Sequence, residues 1–248
     1  MKTILMLASF GLEIVECGGA LAAHVEKGDK VVAAVTFARE EARDQIKQAA
    51  EILGIKEVHF LEFTAGEWEL NLASRVKIVS LLRQLCPDIV ILQDPEHAQH
   101  DFDPDRRMLA LLYSESLAIS GRDWRVEECG GFKPFMPRTF YYMSPHNANC
   151  ILEISKYYSR KIEALAILKS QLTFTAEHYL ERTSPELLRT LVPNYDLVKD
   201  DLFKLGHSLS DQFFQATALW NGAAGHSGAV LGEAYRHEGP FVIDHLLD

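Results

Sequence analysis

Positive charge is what this sequence is short of: 25 Lys and Arg stand against 35 Asp and Glu, a formal net charge of −10 over 248 residues. Neutralising a phosphate backbone takes clustered Lys and Arg, and no such cluster is present, so nucleic acid is excluded as a partner and an anionic membrane surface is disfavoured. Cysteine is scarce too. Cys17, Cys86, Cys129 and Cys150 form no CxxC pair, which excludes a disulfide framework or thiolate zinc site and leaves buried free thiols as the expectation. Apolar runs long enough to span a membrane, about 18 residues, are missing, and Met1-Lys2-Thr3-Ile4 leads into a strand without a signal-peptide cleavage pattern, so a cytoplasmic location is expected. Neither GxGxxG nor GxxxxGK[ST] occurs, so Gly18-Gly19 reads as a close-packing device and not as a phosphate cradle.

What is present is enough apolar residue, 48% of the chain, to bury a substantial core, arranged in two alternating hydrophobic periods. Thr3 to Ser9 reads as a buried strand and Cys17 to Glu26 as a helix closed by Gly28. Lys30 to Phe37 is a second strand, and Glu40 to Leu53 a charged-faced helix stopped by Gly54. Val58 to Phe63, the helix Leu72 to Cys86 ended by Pro87, and the strand Asp88 to Gln93 follow. Successive β-α units of this kind predict an α/β fold, a Rossmann-like, doubly wound and mainly parallel sheet flanked by helices. The second half is less regular. Phe140 to Met143 is strand-like, Ile154 to Leu172 has helical spacing, and Ser184 to Arg236 reads as mostly helical with breaks at Pro185, Pro193 and Gly206. No repeat, linker or low-complexity run divides the chain, so residues 1–248 are expected to form one domain with a helix-rich C-terminal part.

Ligands of open α/β sheets bind outside the carboxyl ends of strands. The segments leaving two of the predicted strands here are Ser9 to Glu13 and Asp94 to Asp105. The first belongs to Ala8-Ser-Phe-Gly-Leu-Glu-Ile-Val-Glu-Cys-Gly-Gly19, which resembles the opening A-H-P-D-D-E-x-x-x-C-G-G of the PIG-L/LmbE zinc-dependent sugar de-N-acetylases. Anchored on Cys17-Gly18-Gly19, Ala8 and Glu13 match; the family's first zinc histidine falls on Ser9, its general-base aspartate on Gly11 and its zinc aspartate on Leu12. In the second motif, H-P-D-H, the Pro-Asp pair is kept in Asp103-Pro104-Asp105-Arg106, and the last zinc histidine falls on Arg106. Lys161 with Ala164-Leu165 and Ser170-Gln171 is similar to the family's K-x-x-A-L-x-x-H-x-S-Q helix, with Leu168 at the histidine. Gly228 to Arg236 is similar to its G-x-x-x-A-E-x-F close, and Arg43 lies near the arginine used toward the sugar.

The resemblance implies a zinc ion held by two histidines and an aspartate, which polarises an acetyl carbonyl and acidifies a bound water toward a pKa of about 7, with a carboxylate taking the proton. Ser9 is a weak neutral donor, Leu12 has no lone pair, and Arg106 is a fixed cation that repels a dication. The expectation is therefore a degenerate homologue without zinc or any other cofactor and without an intact catalytic residue, Glu13 and Asp103 being the remaining candidates. Its role would be binding or regulation. The alternative is an active metal-dependent de-N-acetylase with a relocated metal on His97, His100 and Asp101. Arg43, Asp105, Arg106 and His226 are the candidate contacts to a sugar-like or anionic ligand, Arg106 through its guanidinium fork, either pairing internally with Glu13 and Asp103 or binding a ligand carboxylate or phosphate. Asp103 also suits an N-cap, with Pro104 in the first helical position. The resemblance further implies a homo-oligomer, a trimer or hexamer.

Overall fold

The computed structural model describes residues 1–238. From the N-terminus the elements are β1 (Thr3–Ala8), α1 (Leu12–Glu16), α2 (Gly18–Glu26), β2 (Lys30–Val35), α3 (Glu40–Ile52), β3 (Glu57–Phe60), α4 (Leu72–Leu85), β4 (Ile89–Gln93), α5 (Pro95–His100) and α6 (Pro104–Ser120). The second half adds β5 (Thr139–Met143), β6 (Cys150–Glu153), α7 (Tyr158–Leu165), α8 (Lys169–Arg182), α9 (Pro185–Leu191), α10 (Tyr195–Val198), α11 (Leu202–Asn221), a short 3₁₀ turn (Ala223–Gly225) and β7 (Gly232–His237).

The strands form one sheet in the order β3-β2-β1-β4-β5-β7-β6. β1 to β5 run parallel, and β7 lies antiparallel between β5 and β6. This is the mainly parallel, doubly wound arrangement expected from the sequence, and chain order reverses between β1 and β4, so the crevice outside their carboxyl ends is the natural ligand site. β1, β2 and β4 are buried on both faces, which explains why they read as continuous apolar runs. Alternate residues serve opposite sides of the sheet: Ile4, Met6, Val31, Ala33 and Ile91 pack with α1, α2, α3 and α7, whereas Leu5, Leu7, Val32, Ala34 and Val90 pack with α4 and α6. A third cluster, built on Ala176, Leu188, Val192, Leu205 and Leu209, holds the C-terminal helices together.

Several second-half expectations are corrected. The stretch from Ile154 to Leu172 is not one helix: α7 ends at Leu165, and Leu168 stands at the N-cap of α8 in a non-helical conformation. Gly206 does not break a helix. It lies inside α11 where that helix crosses α8, and a Cβ there would fall 1.8 Å from the Leu172 carbonyl oxygen. The end of the segment called helical is the strand β7, and β6, also unanticipated, pairs with it. The supposed loop after β4 contains α5, N-capped by Asp94, whose carboxylate accepts from the Glu96 amide at 3.0 Å. Of the cysteines, Cys17 and Cys129 are buried, but Cys86 is exposed and Cys150 part-exposed.

Candidate functional site

The turn between β1 and α1 is held from within. The Ser9 hydroxyl donates to the Glu13 carboxylate, which also accepts the Gly11 amide at 2.9 Å and the Phe10 amide at 3.3 Å. Gly11 turns the chain at φ +108°, a conformation open to glycine and strained for other residues. Below it, the Tyr113 hydroxyl donates to the Ala8 carbonyl at 3.2 Å and shares a 2.5 Å hydrogen bond with Thr36, fixing the end of β1 against α6. Glu13 thus faces the loop amides and braces the turn from within.

Across the crevice, α6 begins as the Asp-Pro pair suggests: the Asp103 side chain accepts from the Asp105 amide at 2.9 Å, and Pro104 occupies the first turn. This start fixes Arg106. Its guanidinium lies 3.8 Å from Asp101 and 3.9 Å from Asp103, loose pairings without a hydrogen bond, and its carbon sits 5.5 Å from the Phe10 ring centroid. The expected internal pairing with Glu13 does not form.

Arg106 separates two cavities. One, about 420 Å³, is lined by Phe10, Gly11, Leu12, Phe37, Arg39 and Phe174. The other, about 480 Å³, runs under α11 and is lined by Glu13, Glu16, Lys161, Glu233, Phe213 and Trp220, with Gln93, His97 and Asn221 among its further walls. At its base Lys161 Nζ bonds Glu233 at 2.7 Å and the Glu16 carbonyl at 2.6 Å. Glu233 in turn accepts the Gly19 and Ala20 amides at 2.8 and 2.9 Å and the Tyr235 hydroxyl at 2.8 Å. A carboxylate at the positive end of α2 is favourable electrostatically, and Gly19 makes room for it, since a Cβ there would fall 2.9 Å from Glu233 Oε1 as well as 2.4 Å from Ile154. Burial pushes the Cys17 thiol and the Tyr235 phenol well above their ordinary ranges. Burial also raises the Glu16 carboxyl, to about 7, assisted by Glu13 and Glu233 and opposed by Arg106 and Lys161.

Of the motif positions, Gly11, Leu12 and Arg106 line the first cavity, whereas Ser9 is buried behind the turn against Glu13. The other expected contacts do not line it. Arg43 turns away, bonding Glu62 at 2.5 Å and covering Phe60, while Arg39 takes its place on the cavity wall. Asp105 is buried and spent on the loop after β3, accepting the Gly66 amide and the Trp68 indole N–H, both at 2.8 Å. His226 is exposed at the end of the 3₁₀ turn and lines neither cavity. The proposed alternative metal set does not converge: the His97 and His100 rings each lie 5.3 Å from His146, and Asp101 accepts the Asp103 amide. Among the described residues no group of three or more His, Cys, Asp or Glu is placed to hold a metal ion. Glu16, Lys161 and Glu233 were not singled out as a site from sequence, although Glu13 and Glu16, three residues apart on α1, share a helical face.

For the zinc ion that the fold implies, the donor set at the crevice does not fit: a hydroxyl already committed to Glu13, an isobutyl group and a guanidinium.

With strand order, crevice and motif positions in place, the fold is that of the LmbE/PIG-L-like deacetylases. No family model matches the sequence. A diacetylchitobiose deacetylase of Thermococcus kodakarensis is 28% identical over 130 residues, covering 52% of this chain and 48% of the relative, so the match spans about half the length of that protein. Among solved structures, the N,N'-diacetylchitobiose deacetylase from Pyrococcus horikoshii superposes with a TM-score of 0.70 at 19% identity, over 96% of this chain and 84% of that one. The conserved protein TT1542 from Thermus thermophilus gives 0.71 at 17% identity, over 98% and 97%. GalB, the 4-carboxy-2-hydroxymuconate hydratase from Pseudomonas putida, gives 0.67 at 18% identity over the full length of both chains. The homologues thus include N-acetyl sugar deacetylases, and the fold also carries a different reaction. No helix among the described residues is long and apolar enough to cross a membrane.

Proposed function

We propose that this chain is a non-hydrolytic homologue of the N-acetyl sugar deacetylases that binds a small carbohydrate in the crevice at the ends of β1 and β4, as a binding or regulatory protein. The observation that carries the proposal is Arg106. It stands at the junction of the two cavities, opposite Leu12 and Gly11, where the resemblance calls for a metal ligand, a second ligand and a base. A guanidinium stays protonated at any ordinary pH and neither ionises a water molecule nor accepts its proton, so amide hydrolysis has no hydroxide source in this pocket. Fold likeness alone does not transfer the relatives' activity; the cavity supports binding without it, because a volume near 480 Å³ lies within the usual range for small-molecule sites.

The test is incubation of the purified chain with N,N'-diacetylchitobiose, following thermal stability and acetate release together. The proposal expects stabilisation of about 2 to 3 kcal/mol when ligand exceeds its dissociation constant by roughly a hundredfold, with no acetate formed. Acetate release that a chelator abolishes would refute it.

A further inference from the structure

One carboxylate of the larger cavity is uncommitted. Glu13 is consumed by Ser9 and the Phe10 and Gly11 amides, and Glu233 by Lys161, Gly19, Ala20 and Tyr235. Glu16 lies between them on α1, lines the cavity, and no hydrogen bond to its carboxylate is formed within the described residues. The charges facing it are Glu13 on the same helix, Arg106 from α6, Lys161 from α7 and Glu233 from β7. Lys161 is already neutralised at 2.7 Å by Glu233, and Arg106 lies between Asp101 and Asp103. His97, Cys17 and Tyr235 complete the titratable lining. The lining thus sets three carboxylates, Glu13, Glu16 and Glu233, against two fixed cations, Lys161 and Arg106, one cation fewer.

The mouth has a different character. Phe213 and Trp220 are 57% and 69% exposed, although both line the cavity. Seven residues apart on α11, they fall on one helical face and make an aromatic lip. Aromatic faces at a cavity entrance suit the apolar C–H face of a pyranose ring, and Asn221 and Gln93 offer amides to hydroxyl groups farther in.

We infer that the larger cavity recognises a primary amine carried on a sugar, taking the free amino sugar in preference to its N-acetylated form, with Glu16 as the partner of the ammonium group and Trp220 and Phe213 as the stacking lip. The inference rests on the carbohydrate-binding reading above and deepens it. An N-acetyl group at that position would place a neutral amide beside Glu16 and leave the carboxylate without its counter-charge. An ammonium group instead supplies three N–H donors and the missing positive charge. Burial, helped by Glu13 and Glu233, raises the Glu16 carboxyl to about 7, and an arriving ammonium favours its ionised form. Binding should therefore shift protons from Glu16 to solvent near neutral pH.

Calorimetric titration of the full chain with glucosamine and with N-acetylglucosamine, each in two buffers of different ionisation enthalpy, tests this. Expected are at least tenfold tighter binding of glucosamine, a proton release on binding it, and loss of both the preference and the release in Glu16→Gln, an isosteric change that keeps the fold. Trp220→Ala should weaken both sugars several-fold without altering the preference. Equal or tighter binding of N-acetylglucosamine, or an unchanged preference in Glu16→Gln, overturns the amine assignment while the carbohydrate-binding reading stands. Failure of both sugars to bind overturns both. Stoichiometric zinc with chelator-sensitive acetate release from N-acetylglucosamine in the same preparation sinks only the non-hydrolytic reading.

Discussion

Replacing Lys161 by methionine is the sharpest structural perturbation of the site. The ammonium is almost fully buried, at 5% side-chain exposure against 6% for Glu233, and it joins three pieces of the chain: α7, which carries it, the last turn of α1 through the Glu16 carbonyl, and β7 through Glu233. Methionine fills a similar volume but leaves a buried carboxylate with an unpaired charge, and breaking one partner of a buried pair in this way typically costs about 3–5 kcal/mol. The lower end of that range applies here, because Glu233 keeps the Gly19 and Ala20 amides and the Tyr235 hydroxyl. A loss near 3 kcal/mol is a large part of an ordinary domain's stability and corresponds to a fall in Tm of roughly 6–12 °C for a chain of this size. Urea unfolding followed by circular dichroism measures it directly. The double variant Lys161→Met, Glu233→Gln should lose less than the sum of the single changes, with about 2 kcal/mol of coupling, since the stranded charge is gone. A cost below about 1 kcal/mol for Lys161→Met, or additive single changes, would refute the idea that this pair anchors the base of the cavity.

Glu16 gives a pH-dependent counterpart. Its folded-state value of about 7 lies above its ordinary 4.5, so the folded chain retains a proton that the unfolded chain releases, and stability should fall as pH rises from about 4.5 to 7. Glu16→Gln should flatten that fall and raise stability at pH 8 by about 1–3 kcal/mol; an unchanged pH profile in chemical denaturation would contradict it. Gly206→Ala, favourable by helix propensity alone, should instead destabilise by about 1–3 kcal/mol or more, because the new methyl group meets the Leu172 backbone and forces α8 and α11 apart; a neutral result in urea would contradict the crossing. Asp103→Ala removes the cap of α6 and should cost about 1 kcal/mol, read from the same unfolding curves. Gly11→Asp, which returns a carboxylate to the family's base position, should lower stability and yield no acetate, since its φ of +108° and an Ile46 methyl 2.7 Å from the new Cβ oppose the side chain.

The sheet's first half was legible because β1, β2 and β4 are buried on both faces and spell uninterrupted apolar runs, while α3 and α4 carry clear helical spacing. β6 and β7 were not, because β6 is a four-residue edge strand and β7 carries Glu233 and Arg236, whose charges are compensated by partners far away in sequence, such as Lys161 for Glu233 and Asp94 for Arg236 at 2.7 Å each. Gly206 was misread for a related reason: local propensity marks glycine as a breaker, whereas here tertiary crowding requires it. At the site, the motif frame led to the crevice at the ends of β1 and β4, because it is anchored by Cys17-Gly18-Gly19 and the Asp103-Pro104 cap. It failed wherever side-chain direction mattered. Arg43 and Arg39 lie four residues apart and differ in whether they meet Glu62 or the cavity, and Asp105 was drawn off by Trp68. Glu16 sits at an unspecified position of the motif, so only its spacing from Glu13 pointed to it.

The most direct test of the proposal that the crevice carries a guanidinium in place of a metal ion is zinc content. Protein purified without chelator and then equilibrated with zinc should retain far less than one ion per chain by elemental analysis after dialysis, and its unfolding temperature should not respond to chelator. One tightly held zinc per chain, lost together with stability on replacing residues of the Ser9 to Glu13 turn, would contradict it.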